Sequence, residues 1–244
     1  MNVCIGKADV HGKIVDLQAL LQMMEQNNIE HAVAYHEYAL AEHKSGNALM
    51  QKISEESNGK VGICAVIDPG LGAESLPGEG SLADRLRQMK AECVRIFPTA
   101  NRVVFSSFYL DEVFSAVNEL SMPLIIDDDF GAPPTAIFGP LPEIAKEYPN
   151  AKFVIIRYGT CGGRNVMPLI KKTKNVYFTI EQMLDHMQIE EICECGGADK
   201  LLFGSEYPSL PLAGALGLSF YADITDEERQ KILYKNWEAI GHDD

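Results

Sequence analysis

Residues 201–208 read Leu-Leu-Phe-Gly-Ser-Glu-Tyr-Pro. Three large apolar residues describe a short buried strand, which breaks at Gly204-Ser205 into Glu206, with Tyr207 and Pro208 behind it. Proline has no N–H to give to a sheet ladder, so the strand stops before 208 and Glu206 stands where a core strand surfaces. A carboxylate at such a place is either solvated and idle or part of a site.

Outward from that stretch the same unit recurs. Short apolar runs at 3–5, 32–35, 61–67, 93–97, 124–126, 153–156, 176–180 and 201–203 alternate with helix-patterned segments. Leu17, Leu20, Leu21 and Met24 share one helical face, Leu82, Leu86 and Met89 another, and Val113, Val117 and Leu120 a third. Asp16 is an expected N-cap, Thr225 with Glu228 an expected capping box, and Gly196-Gly197 a helix stop. Val- and Ile-rich strands without strict alternation, each followed by a helix, imply a parallel sheet covered on both sides. About eight such units in roughly 240 residues predict a (β/α)8 TIM barrel occupying 1–244 as one domain. The runner-up is an open doubly wound sheet. Its Gly-rich fingerprint has only a displaced counterpart at Gly78-Glu79-Gly80, well beyond the preceding strand.

Composition narrows the function. The 244 residues carry a formal net charge of -14, which argues against a nucleic-acid partner because no basic surface is available to displace counterions. The six cysteines show no paired spacing and read as reduced thiols of a cytoplasmic protein. No apolar stretch approaches the ~20 residues of a membrane span. A small-molecule substrate is the expected partner, and a homodimer is compatible with the sequence.

In a barrel, chemistry collects at the C-terminal strand ends. Those positions offer Cys4, His36 with Glu37, Asp68, Arg95, Asp127-Asp128-Asp129, Arg157 with Tyr158, Glu181, and Glu206 with Tyr207. Any one of them alone reads as a solvated loop residue; their recurrence at one level gives the set its weight. Side chains alternate along a strand, so an inward Glu206 brings Gly204 and Leu202, an inward Asp127 brings Ile125, and an inward Arg157 brings Ile155 and Phe153. There is no H-x-H, no HExxH, no P-loop, and Gly204-Ser205-Glu206 lacks the second glycine of a nucleophile elbow.

Several of these segments together resemble the amidohydrolase-related branch of the amidohydrolase superfamily. Ala65-Val66-Ile67-Asp68-Pro69 resembles the family's third strand, and Val94-Arg95-Ile96-Phe97-Pro98 its G-V-R-x-H-P segment. Lys152 through Ile156 resembles K-F-V-L-A, 201–208 resembles L-L-F-G-S-D-Y-P, and Lys231-Ile232-Leu233 with Asn236 resembles K-I-L-x-x-N. The metal positions of the family are substituted. Asn2-Val3-Cys4-Ile5-Gly6 stands for H-x-H-x-G, Asp127 and Arg157 stand where histidines end strands five and six, Phe97 replaces a histidine, and Glu206 replaces the aspartate of strand eight.

The resemblance and these departures imply a hydrolase without a metal or other cofactor, acting on a small carboxylated, lactone or amide substrate. Arg157 is expected to neutralise Glu206 or Asp127 in place of a dication. Asp127 or Glu206 would be general base, His36 or Tyr158 proton donor, and Arg95 the anchor for an anionic group or carbonyl, with Glu181 and Tyr207 also facing the substrate. Two alternatives stand beside this reading. One is a barrel that lost its chemistry and serves a binding or regulatory role. The other is a hydrolase or decarboxylase with a divalent metal on Asp127, Asp129 and Glu206.

Overall fold

A computed structural model describes residues 2–127, 135–156 and 163–241. Eight parallel strands follow one another in sheet order β1-β2-β3-β4-β5-β6-β7-β8. They are β1 (Val3–Ile5), β2 (Ala32–His36), β3 (Val61–Val66), β4 (Ala91–Ile96), β5 (Pro123–Asp127), β6 (Lys152–Ile156), β7 (Val176–Thr179) and β8 (Leu201–Leu202). Each strand pairs with its neighbour in sequence, a curled order consistent with a (β/α)8 barrel and unlike the order reversal of a doubly wound sheet. Where the first and last strands approach, Cys4 N donates to Tyr207 O at 2.9 Å.

The helices between strands are α1 (Leu17–Gln26), α2 (His43–Glu56), α3 (Leu82–Met89), α4 (Ser107–Glu119), α5 (Thr135–Phe138), α6 (Leu141–Glu147), α7 (Gly163–Lys172) and α8 (Gln188–Glu194). After β8 come α9 (Leu212–Tyr221), α10 (Asp226–Gln230) and α11 (Asn236–Gly241). Local signals set their ends. The Asp16 carboxylate accepts from Ala19 N at 2.8 Å and starts α1, whose Leu20 and Met24 are buried. Thr225 and Glu228 form the expected reciprocal box at α10. Past α8, Gly196 takes φ +75°, a left-handed stop that suits glycine.

Strand alternation divides the apolar residues into two cores. Val3, Ile5, Ala34, Ile63, Val94, Ile96, Leu124, Ile126, Phe153, Ile155 and Phe178 pack outward against the helices. Cys4, Val33, Tyr35, Cys64, Val66, Cys93, Ile125, Val154, Ile156, Tyr177 and Leu202 fill the inside. Ile240 and Trp237 of α11 join the inner cluster, and the Asn236 amide donates to Ala198 O and Leu201 O at 2.8 Å each, tying α11 to the start of β8. These two layers correct one part of the parity reading. Ile125 and Leu202 are interior as expected below Asp127 and Glu206, but Phe153 and Ile155 face the helices while Val154 and Ile156 face inward. Arg157 and Tyr158 themselves, like Asp128 and Asp129, lie outside the described residues. Because both faces of β6 are apolar, composition alone could not tell which set was inside.

Candidate active site at the barrel mouth

Arg95 lies on β4 one residue before the strand's end, level with Ile125 of β5 and Val66 of β3, and it is wholly buried at 0% exposure. Inner-facing parity puts the guanidinium inside the barrel beside Cys93. The Tyr35 ring, its centroid 4.5 Å from the guanidinium carbon, and the Phe97 ring, at 4.9 Å, flank the charge, an arrangement in which each π-face attracts the cation. Arg95 Nη2 donates to Asp127 Oδ2 at 2.5 Å, and Nη1 donates to Asn2 Oδ1. Burial opposes that charge, yet Tyr35 and Asp127 outweigh it and hold the guanidinium above its ordinary pKa. Burial pushes the Tyr35 phenol up as well.

Asn2 connects this pair to a second group of acids. Its Nδ2 donates to Glu181 Oε1 at 3.3 Å, and Thr179 Oγ1, from the end of β7, donates to the same oxygen at 2.7 Å. Glu181 is buried, and desolvation raises its pKa to about 7, with the charge of Glu206 pushing the same way. Glu206 is also buried and its Oε2 accepts from Gln182 Nε2 at 2.9 Å. It adopts φ +50°, a left-handed conformation that costs a non-glycine residue roughly 1–2 kcal/mol. Gly204 is explained by the same packing. A Cβ there would stand 2.3 Å from Glu181 Oε2 and 2.9 Å from Thr179 Cβ, so the glycine of the opening stretch makes the room that Glu181 fills.

His36 ends β2. Its Nδ1 accepts from Tyr38 N at 3.0 Å, which leaves the proton of the neutral ring on Nε2. Burial lowers its pKa, favouring that neutral form. The ring sits over Gly6, φ +87°, where a Cβ would come within 2.7 Å of Cε1. Tyr207 packs its side chain against the outer core and contributes its carbonyl to Cys4.

Of the residues singled out from sequence, the structure therefore gathers Arg95 with Asp127, and Glu181 with Glu206, across the Asn2 and Gln182 side chains. Tyr35, Thr179 and Gln182 were not singled out, and Asn2 and Phe97 enter the sequence reading only as substituted metal positions. Tyr35 and Phe97 were findable, since Tyr35 lies opposite Cys4 in the β1–β2 register and Phe97 keeps the parity of Arg95. Among the described residues, Arg95 Nε, Glu181 Oε2 and Gln182 Oε1 are buried without a hydrogen-bond partner.

Among the described residues no group of three or more His, Cys, Asp or Glu side chains is placed to hold a metal ion. Asp127 faces the Arg95 guanidinium, whose charge would repel a cation there. The described residues thus do not fit a dication. Asp129, the third member of the alternative ligand set, lies outside them.

A family model described as "Amidohydrolase" matches residues 74–239. No curated protein matches. Among solved structures, 2,6-dihydroxybenzoate decarboxylase complexed with 2,6-dihydroxybenzoate is 14% identical, with 94% of this chain and 89% of that one covered and a TM-score of 0.70. A dihydroxybenzoic acid decarboxylase from Polaromonas with bound manganese and 2-nitroresorcinol is 14% identical over 93% of this chain and 86% of that one, TM-score 0.71. A 5-carboxyvanillate decarboxylase from Novosphingobium aromaticivorans, also with bound manganese, is 14% identical over 93% and 82%, TM-score 0.68. These matches correct the expectation that no cofactor takes part, because structures sharing this fold carry manganese. No helix among the described residues is long and apolar enough to cross a membrane. Since the family match covers more than half of the chain, from ahead of β4 through β8, this protein belongs to the amidohydrolase family.

Proposed function

We propose that this protein is an amidohydrolase-family enzyme that hydrolyses a small carboxylated, lactone or amide substrate at the C-terminal mouth of its barrel. The observation that carries the reading is the set of three buried polar atoms without protein partners, Arg95 Nε, Glu181 Oε2 and Gln182 Oε1, in one polar cluster. Leaving such atoms unpaired costs about 1–3 kcal/mol each, and a polar ligand that meets them recovers it. The bound substrates and analogues of the structural neighbours are aromatic acids and phenols, which supports a small oxygen-rich substrate.

In this proposal Arg95 donates to the substrate's carbonyl or carboxylate oxygen, held in place by Asp127, Asn2 and the two flanking rings. Glu206 takes a proton from the attacking water, whose oxygen bonds to the carbonyl carbon. Glu181, still protonated up to about pH 7, gives its proton to the leaving oxygen or nitrogen as the C–O or C–N bond breaks. The neighbours' manganese makes a divalent metal the cofactor to test in the same assay.

The test is turnover on a panel of lactones, amides and hydroxylated aromatic acids, with and without added Mn²⁺. Glu206→Gln and Glu181→Gln should each lower kcat/KM by on the order of a hundredfold or more. Unchanged turnover in either variant refutes its assigned role, and carbon dioxide release from the aromatic acids replaces hydrolysis by decarboxylation.

A further inference from the structure

Away from the mouth, a cavity of about 680 Å³ lies between α6 and α7. Helices of a βα barrel run from the mouth toward the opposite end, so Phe138 and Asn165 mark its upper part, and the last turns of both helices its lower part. Phe138, Ala145 and Leu169 give it apolar walls. Pro142, Pro149 and Pro168 complete them, and proline's fixed φ makes such walls stiff. Lys146 and Lys172, in the last turns of α6 and α7, and Lys174, just beyond α7, also line it.

Those lysines are notable for what they lack. The chain carries a net charge of -14, yet among the described residues none of the three forms an ion pair, and no carboxylate lines the cavity. Asn175, the most buried polar residue of the lining, has its amide nitrogen spent on the carbonyls of Ala145, Tyr148 and Ala151, so it fixes the wall and leaves recognition to the lysines. Lysines in a final helical turn do offset the helix dipole. That role needs neither a stiff apolar trough beside them nor Lys174, which lies beyond the end of α7.

We propose that this groove binds an amphipathic organic anion, an aliphatic or aromatic body seated along α6 and α7 with one carboxylate held by Lys146, Lys172 and Lys174. An apolar trough of preformed shape with a few convergent charges is the usual form of a small-ligand site, and its stiffness lowers the ordering cost of binding. Calorimetric titration of the full chain with sodium decanoate tests it, with decanol as the uncharged control.

Decanoate should bind at one saturable site, decanol at least about fivefold more weakly, and the exposed double variant Lys172→Gln/Lys174→Gln should weaken decanoate by a similar factor while keeping the wild-type melting temperature. Decanoate binding should be unchanged in Glu206→Gln. Equal affinity for decanol, equal affinity of the lysine variant, loss of binding in Glu206→Gln, or no binding of decanoate at all would each overturn the proposal.

Discussion

Replacing Glu181 by glutamine should make the protein more stable, and only at neutral and higher pH. The carboxyl titrates at 4.5 when solvated and at about 7 in the fold, where burial raises it. Below the lower value both folded and unfolded chains hold the proton, and the group contributes no pH dependence. Between the two values the unfolded chain has released the proton while the folded chain still binds it, so stability falls as pH rises. At 1.36 kcal/mol per pKa unit, the shift from 4.5 to about 7 removes roughly 3 kcal/mol by the time the upper value is passed. Glutamine presents a carbonyl to Asn2 Nδ2 and Thr179 Oγ1 and never ionises, so it keeps those two contacts and escapes the loss. Urea unfolding of both proteins at a series of pH values isolates the effect, because every other titrating group cancels in the difference. The difference should be near zero at about pH 4, grow through pH 6, and level off at roughly 3 kcal/mol in favour of the variant at about pH 8. In melting temperature that is on the order of 6–12 °C for a chain of this size. A difference that stays flat with pH, or one that favours the wild type at high pH, would refute the assignment of a buried, neutral Glu181.

Four other outcomes follow from the same contacts. Asp127→Ala strands the Arg95 guanidinium at 0% exposure and should cost about 3–5 kcal/mol in unfolding free energy, while Arg95→Met/Asp127→Leu, which removes both charges, should recover most of it. Gly204→Ala puts a methyl 2.3 Å from Glu181 Oε2 and should lower the melting temperature, with Glu181→Ala in the same chain restoring much of the loss. His31 Nε2 donates to Glu92 Oε2 at 2.9 Å, and that bond raises the imidazole pKa above 6.5. His31→Gln should therefore destabilise at about pH 6, and less as pH rises through the folded pKa, as thermal melts at the two extremes would reveal. Finally, the rate of any hydrolysis should fall above about pH 7 as Glu181 loses its proton, and that basic limb should disappear in Glu181→Gln.

How much of this could be read beforehand depends on what each residue type reveals about the face it occupies. The strands were legible because a parallel sheet covered on both sides demands unbroken Val- and Ile-rich runs, and their spacing dictated the barrel. That same property hides which face is which. In β6 both alternating sets are apolar, so the sequence leaves open which pair faces inward, and the structure turns Phe153 and Ile155 toward the helices. In β4 the arginine resolves the ambiguity. A guanidinium cannot be buried without acceptors, so finding it wholly enclosed requires Asp127, Asn2 and two aromatic faces around it, and Tyr35 and Phe97 follow from the parity of their strands. The histidine-to-phenylalanine departure at 97 thus reads differently once the fold is known: the ring is one of the two that flank the charge of Arg95. Glu206 answers to the same logic. It is buried rather than solvated, and its position depends on Gln182 from the neighbouring strand's end, a contact across 24 residues that no local pattern encodes. Polar residues in the interior are therefore the informative ones, because each must bring its partners with it, whereas the apolar majority is compatible with either face.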